Sequence, residues 1–186
     1  MLCLLFPALA AALDIRAPPN VGWAQTTLVY TAPRRGCHLI TSEVLDALGP
    51  DLAKFQTGMC NLFVQHTSCS LSINENTDPT VRDDLNRALD RIVPASWNYD
   101  GTFRHTMEGD DDMPGHAKSS LMGVSINVPI SRGGLALGTW QGIYLCEHRD
   151  ASAVAHHRSI VLTVQGELAE VKTSAADPRI SFPVYR

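Results

Sequence analysis

The sequence predicts a single α+β domain with an antiparallel, β-sandwich-like core and two or three helices. Three observations lead to this fold class. Most apolar segments are short, rich in β-branched residues and bounded by turn residues, as expected of strands. Only two segments carry apolar residues at a clear helical spacing. The chain of 186 residues contains 45% hydrophobic residues, which is enough to bury one core.

The first half of the domain alternates between strand and helix patterns. A helix begins at Thr41 and ends before Gly49, with Val44, Leu45 and Leu48 on its inner face. A second helix is capped by a threonine or aspartate and stopped by a proline. The predicted strands of this half cover residues 25–31, 38–40 and 59–72, and the predicted helices cover residues 41–48 and 80–92.

The second half opens on a charged stretch, residues 105–120, which we predict to be a loop because a glycine and a proline interrupt regular structure. Strand patterns follow it. Trp140 stands at the start of one of these strands, where it either packs in the core or stacks on a ligand. The predicted strands of this half cover residues 119–130, 138–148 and 159–166.

Both ends of the chain differ from the rest in composition. Residues 1–21 form an apolar, proline-rich extension, residues 22–167 the domain, and residues 168–186 a weakly patterned C-terminal extension. The apolar run of residues 2–13 is too short to span a bilayer as a helix, and it lacks the basic start of a secretory signal. Five cysteines at irregular spacing are typical of reduced thiols. We therefore expect a cytoplasmic protein, with a cleaved signal as the alternative.

Charge excludes one class of partner. The net charge is −4 and the pI about 5.9, and no basic stripe occurs. A nucleic-acid surface requires clustered Lys and Arg, so no nucleic acid is expected, and no membrane either.

Histidines and carboxylates are concentrated near the middle of the chain. His105 and His116 flank Glu108 and the run Asp110 to Asp112, and His148 follows at a strand end. Crowded negative charge is tolerated where a cation compensates it, and carboxylates orient metal-binding imidazoles. We therefore predict that His105, His116 and His148 bind one metal ion with an open position, as catalytic metals do. The alternatives are a solvated acidic loop and histidines with purely structural roles.

Two short polar segments offer hydrogen-bond donors for a phosphate. His66, Thr67 and Ser68 end an apolar strand, and Lys118 precedes Ser119 and Ser120. Several donors at short range suit a phosphate group. An ordinary polar strand end is the alternative, and a nucleophilic pair of Cys69 with His66 is disfavoured because neighbouring strand residues face opposite sides.

Several longer motifs occur in a fixed order. They are His66-Thr67-Ser68-Cys69-Ser70-Leu71, Asn74-Glu75-Asn76-Thr77-Asp78-Pro79, the stretch from Glu108 to Ser120, Gly138 to Ile143, and Glu147-His148-Arg149. Together they resemble the YjbQ-like family, also called the secondary thiamine-phosphate synthase family, over residues 22–167. The chain departs from the family pattern in its two extensions, in Cys69 where alanine is usual, and in Gly115.

The resemblance implies a homotrimer with a weak, metal-assisted transferase activity. The reaction joins a hydroxymethylpyrimidine diphosphate to a thiazole phosphate and releases pyrophosphate. A divalent ion, zinc-like or Mg²⁺, and a small phosphorylated ligand are the expected cofactor and partner. A non-enzymatic metal- or phosphate-binding trimer and a metal-assisted hydrolase remain open.

Site residues follow from these patterns and the resemblance together. The expected catalytic residues are His66, His105, His116, Lys118 and His148. The residues expected to bind phosphate or substrate are Thr67, Ser68, Asn76, Asp78, Ser119, Ser120 and Gln141. The expected outer-shell partners of the metal ligands are Glu108, Asp111, Asp112 and Glu147.

Overall fold

The computed structural model describes residues 20–150 and 156–170, which form a mixed α+β domain. The predicted extensions lie almost wholly outside these residues. No helix in the described part of the chain is long and apolar enough to cross a bilayer. The strands are β1 (Val21–Ala32), β2 (Gly36–Leu39), β3 (Phe55–Val64), β4 (Cys69–Glu75), β5 (Ser125–Ser131), β6 (Gly134–Leu135), β7 (Gln141–Glu147) and β8 (His156–Leu168). The helices are α1 (Thr41–Leu48), α2 (Thr80–Ile92) and α3 (Asp112–Met122), with short 3-10 helices at Gly49–Lys54 and Ala95–Asn98.

Two antiparallel sheets contribute to the core. The larger has the strand order β1-β8-β3-β5-β6 and the smaller the order β2-β7-β4. Apolar residues of both sheets are fully buried in one cluster, including Leu62 and Leu162 from the larger and Leu71 and Leu145 from the smaller. The prediction of an antiparallel, sandwich-like α+β fold is therefore confirmed.

The predicted strand over residues 59–72 is wrong, because this segment contains two strands in different sheets. β3 ends at Val64, and β4 begins at Cys69. The polar residues 65–68 between them cross from one sheet to the other, with the Gln65 amide donating to the Ser159 carbonyl at 2.9 Å. The crossing places His66, Thr67 and Ser68 at the edge where the sheets meet.

The predicted loop over residues 105–120 is only partly correct. Residues 112–122 form α3, so the strand expected from residue 119 begins at Ser125. Pro114 lies in the first turn of α3, where a helix does not need the missing amide. Helix α3 packs on β4, and Ser119 Oγ donates to the Cys69 carbonyl at 2.8 Å. The acidic run therefore starts a helix whose inner face is partly polar.

The two helices predicted from periodicity are confirmed, but two side chains lie elsewhere than expected. Helices α1 and α2 have the predicted bounds. Val44 and Leu48 are buried, whereas Leu45 is 43% exposed and does not belong to the inner face. Trp140 is 62% exposed, so it does not pack in the core, which was one of the two alternatives for this residue.

Candidate metal centre and adjoining cleft

Three side chains meet at the start of α3. His105 Nε2 lies 2.8 Å and His116 Nε2 3.1 Å from the same oxygen, Asp112 Oδ2. Candidate ligand atoms of all three residues lie within 4.8 Å of one another. Asp112 and His116 are four residues apart on α3, which puts them on one face, one turn from each other. We call these residues the His105–Asp112–His116 cluster.

The surroundings of His116 favour one tautomer. Its Nδ1 lies 3.1 Å from the Thr67 carbonyl oxygen and 3.1 Å from Ser68 Oγ. A carbonyl only accepts, which favours a proton on Nδ1 and leaves a lone pair on Nε2. That lone pair then faces Asp112 Oδ2, and two acceptors repel each other unless a proton or a cation lies between them. A backbone carbonyl on the outer nitrogen is the usual support of a metal-binding imidazole.

Arg149 fixes the carboxylate of the cluster. The Asp112 side chain is 2% exposed, and its other oxygen, Oδ1, accepts a hydrogen bond from Arg149 NH1. Arg149 Nε also donates to Asp111 Oδ2 at 3.0 Å. Burial raises the pKa of Asp111, but hydrogen bonds from the Asp150 amide and from Arg149 outweigh it and leave that pKa below its ordinary value. Asp112 is thus held with Oδ2 turned toward the two imidazoles.

Glu108 takes a peripheral position. Its Oε1 lies 3.7 Å from His105 Nε2, and the side chain is 65% exposed. The distance is beyond a direct hydrogen bond.

His148 does not join the cluster. It is 2% exposed, and its Nε2 lies 2.9 Å from Ser70 Oγ on β4. Burial, followed by the nearby Lys118 ammonium, lowers its pKa to about 4. The structure therefore brings together two of the three histidines that the sequence assigned to a metal, and Asp112 takes the third position in place of His148.

His66 also lies outside the cluster, and both of its ring nitrogens are engaged. Nδ1 accepts the Ser68 amide at 3.0 Å, and Arg158 NH1 lies 3.1 Å from Nε2. Burial and the Arg158 charge lower the pKa of His66. The Ser68 amide occupies the lone pair of Nδ1, which puts the proton of a neutral ring on Nε2, so neither nitrogen offers a free lone pair to a metal in this arrangement.

Glu147 lies in a buried ion pair rather than beside the cluster. Arg158 donates from Nε to Oε2 at 2.6 Å and from NH2 to Oε1 at 3.0 Å. The Arg149 amide donates to Glu147 Oε1 at 2.9 Å. Burial raises the pKa of Glu147, but the hydrogen bonds from Arg158 and Arg149 bring it below the ordinary value.

The sequence patterns predict no role for Arg149 or Arg158. Arg149 belongs to the motif Glu147-His148-Arg149. An arginine in a chain with clustered carboxylates indicates a possible ion pair, so this contact could have been predicted. Arg158 had no such signal, because its partner lies on a strand of the other sheet.

A cleft of about 750 Å³ adjoins the cluster. His116 belongs to its wall, together with other polar side chains and with apolar ones. The volume falls in the range of small-molecule sites. The wall is formed by residues 63–67, His116, Ser119, Ser120, Gly123 and Val124.

The residues expected to bind phosphate are divided between this cleft and other contacts. Thr67 and Ser120 line the cleft, although Ser120 Oγ also donates to the His116 carbonyl at 2.9 Å. Ser119 lines it too, with its hydroxyl bonded to β4. Lys118 is 3% exposed and donates to Asp90 Oδ1 at 2.6 Å, so its ammonium is already paired. Ser68 bonds His116 instead.

Asn76, Asp78 and Gln141 lie at the opposite end of β4, roughly 20 Å along the strand from Ser68. Asn76 Nδ2 donates to the Gln141 carbonyl at 2.9 Å, and Gln141 Oε1 accepts the Gly138 amide at 2.8 Å. Asp78 Oδ1 accepts the Thr80 amide at 2.8 Å, where α2 begins. These contacts stabilise turns, and the structure does not bring the three residues to the cleft.

The fold and the site together define a small α+β protein with two imidazoles and a buried carboxylate beside a ligand-sized cleft. The family model described as UPF0047 protein YjbQ-like matches residues 25–167, and the chain belongs to this family.

Relatives and solved structures agree with this assignment. The chain is 47% identical to the UPF0047 protein YjbQ of Escherichia coli O157:H7 over 145 residues, which cover 78% of this chain and 99% of that protein. It is 41% identical to a UPF0047 protein of Synechocystis, covering 77% of this chain and 92% of that one. A conserved hypothetical protein from Thermus thermophilus superposes with a TM-score of 0.58 at 33% identity, covering 73% and 97% of the two chains. A YbjQ-like protein of unknown function from Sulfolobus solfataricus shares the fold, with a TM-score of 0.65 at 22% identity over 79% and 99%.

Proposed function

We propose that the protein is a metal-dependent enzyme that acts on a phosphorylated small molecule in the cleft beside the His105–Asp112–His116 cluster. The observation that carries the proposal is the 3.1 Å approach of His116 Nε2 to Asp112 Oδ2. With the tautomer favoured by the Thr67 carbonyl, a cation turns this approach from repulsive to attractive.

The donor set indicates the class of metal. Two imidazoles and one carboxylate suit zinc, manganese or iron(II) better than Mg²⁺, which prefers oxygen ligands. Three protein ligands leave further coordination positions for water or a substrate oxygen. Arg149 pairs with Asp112 Oδ1, which holds the carboxylate with Oδ2 toward the imidazoles.

The specific reaction that we propose is the thiamine-phosphate synthase reaction implied by the resemblance. The thiazole nitrogen attacks the methylene carbon of the pyrimidine diphosphate, and the electron pair of the broken C–O bond leaves with pyrophosphate. A bound divalent ion would supply charge stabilisation to that leaving group. The Thr67 hydroxyl on the cleft wall would donate to a phosphate oxygen, and Phe63 and Val124 would contact the rings.

One observation favours a second candidate, a non-enzymatic metal- or phosphate-binding protein. Enzymes that expel pyrophosphate supply positive charge to it. Here Lys118 is paired with Asp90, and Arg149 is paired with two aspartates. In this arrangement the cleft has few uncompensated cations.

For assembly and location we propose a homotrimer in the cytoplasm, with the domain spanning residues 22–167. The resemblance supports the trimer. The four cysteines in the described part of the chain are free, which supports a reducing compartment. Light scattering of the purified chain tests the assembly, and a stable monomer contradicts it.

The function is tested by metal binding and turnover on the same samples. Wild type, Asp112→Asn and His116→Ala are stripped with chelator and titrated with Zn²⁺ and Mn²⁺ by calorimetry. They are then assayed for pyrophosphate release from the two phosphorylated substrates. His157→Ala is the matched control, because His157 is exposed on β8 and its side chain bonds only Thr31 among the described residues.

The enzyme proposal expects metal binding and turnover in wild type and His157→Ala, and loss of both in the two cluster variants. Metal binding without turnover of these substrates favours the binding protein. Absence of metal binding in wild type overturns the enzyme proposal and leaves only a phosphate-binding protein as the second candidate.

A further inference from the structure

A second cleft, of about 500 Å³, is lined by residues that do not belong to the His105–Asp112–His116 cluster. It is formed by the turn between β1 and β2, by β2 itself, and by the first turns of α2. None of its lining residues belongs to the first cleft. Its volume is also that of a small-molecule site.

Positive charge dominates this second cleft. Arg34 and Arg35 come from the β1–β2 turn, and Arg82 comes from the first turn of α2. Asp83 is the one carboxylate among the lining residues. Arg35 is paired with two aspartates outside the lining, so Arg34 and Arg82 against Asp83 leave a small positive excess, in a protein whose net charge is −4.

Arg82 has an unsatisfied donor. Its Nε is buried and has no hydrogen-bond partner among the described residues. A buried N–H without an acceptor is costly, and native structures retain few of them.

Arg35 is held in position by two aspartates. Its NH2 donates to Asp90 Oδ2 at 3.1 Å, and its Nε lies 3.2 Å from Asp150 Oδ1. Neither contact uses NH1. The guanidinium is therefore fixed before a ligand arrives, which lowers the entropy cost of binding.

The backbone amides at the start of α2 do not contribute to the site. The Thr80 amide donates to Asp78 Oδ1, the Val81 amide to the Asp78 carbonyl, and the Arg82 amide to the Pro79 carbonyl. Recognition on the α2 side of this cleft must therefore come from side chains.

We propose that Arg34, Arg35 and Arg82 bind the phosphate group of a small phosphorylated molecule, at a site separate from the metal cluster. Guanidinium groups recognise phosphate oxygens through paired hydrogen bonds. A phosphate monoester has three terminal oxygens for three guanidinium groups, and it brings negative charge to a lining that is positive overall. The Tyr30 and Asn86 side chains line the rest of the cleft and are neutral hydrogen-bonding groups for the remainder of the ligand.

The test uses inorganic phosphate as the probe and the full chain, in a variant whose His105–Asp112–His116 cluster lacks one imidazole. Calorimetric titrations are carried out with chelator present in a His116→Ala background, so that binding at the proposed active site does not contribute. Phosphate binding should persist there, and Arg82→Met should weaken it roughly tenfold or more, the loss expected for a hydrogen bond to a charged group.

Arg87→Met is the matched control on the same helix, because Arg87 is exposed, pairs with Asp84 and does not line the cleft. It should bind phosphate as the parent does. Arg34→Met provides a second cleft variant at an exposed position, where folding is not at risk. The proposal is overturned if the parent does not bind phosphate, or if Arg34→Met and Arg82→Met both bind as tightly as Arg87→Met. These results are independent of whether the cluster supports turnover.

Discussion

Arg158 on β8 and Glu147 at the end of β7 form a two-bonded ion pair that joins the two sheets. The Glu147 side chain is fully buried, and that of Arg158 is 9% exposed. The pair also sets the position of His66, because Arg158 NH1 contacts that ring. The two sheets are therefore linked by polar contacts at the edge of the first cleft.

Breaking this pair should destabilise the fold strongly. Arg158→Met leaves a buried carboxylate without its guanidinium, so the free energy of unfolding should fall by about 3–5 kcal/mol. Urea denaturation followed by circular dichroism measures the change. The double variant with Glu147→Met should recover much of the loss, since no buried charge remains.

An exposed ion pair is the control for this prediction. Lys54 and Asp51 pair at the surface, so Lys54→Met should change stability by at most about 1 kcal/mol. Similar losses for Arg158→Met and Lys54→Met would contradict the view that burial makes the Glu147 pair important.

His148 should make stability depend on pH. Its pKa is about 4 in the folded protein and 6.5 as the ordinary value. Between these values the unfolded chain binds more protons, so stability is full above pH 6.5 and falls as the pH drops toward 4. His148 contributes up to about 1.4 kcal/mol per pH unit to the slope of the free energy of unfolding against pH.

Replacing His148 tests this contribution directly. His148→Gln keeps a hydrogen-bonding group near Ser70 but does not titrate, so the loss of stability between pH 6.5 and 4 should be smaller. Some slope should remain, because the pKa of His66 is lowered in the same direction. Urea midpoints across this range give the answer, and equal slopes in variant and wild type would refute the assignment.

Trp140 should contribute little to stability. Its side chain is 62% exposed, so Trp140→Ala should change the free energy of unfolding by no more than about 1 kcal/mol. A buried tryptophan would cost about 3–5 kcal/mol instead. Thermal unfolding distinguishes these outcomes, and a large loss would place the ring in a contact beyond the described residues.

The buried cysteines should differ in reactivity. A hydrogen bond from the Cys146 thiol, at 3.0 Å between the sulfurs, lowers the pKa of Cys37 despite burial. Burial raises the pKa of Cys60 to about 11 and that of Cys69 to about 12. Iodoacetamide at pH 8 should therefore label Cys37 before the other two, because the thiolate is the reactive form.

Peptide mass spectrometry after timed labelling measures the order. Cys60 and Cys69 should react only after denaturation. Cys146→Ala removes the donor to Cys37 and should slow its labelling, and unchanged labelling in that variant would contradict the role of the hydrogen bond.

Local patterns in the sequence determined the fold class and two of the helices. Thr41–Leu48 and Thr80–Ile92 carry a helical spacing of apolar residues and clear stops, and these signals act over a few residues. Helix α3 has no such spacing of apolar residues, so its sequence did not predict a helix. Its inner face includes Asp112, Lys118 and Ser119, which are buried through polar contacts instead of apolar packing.

The sequence by itself also indicated His105 and His116 as candidate metal ligands. A high density of histidines and carboxylates within one short segment can be recognised without knowing the fold. Only the tertiary structure decided that Asp112 completes the cluster, that His148 turns to Ser70, and which carboxylates Arg149 and Arg158 contact. Those distances depend on how α3 lies on β4 and how β7 and β8 face each other across two sheets. Such contacts join residues far apart in sequence, and periodicity along the chain contains no information about them.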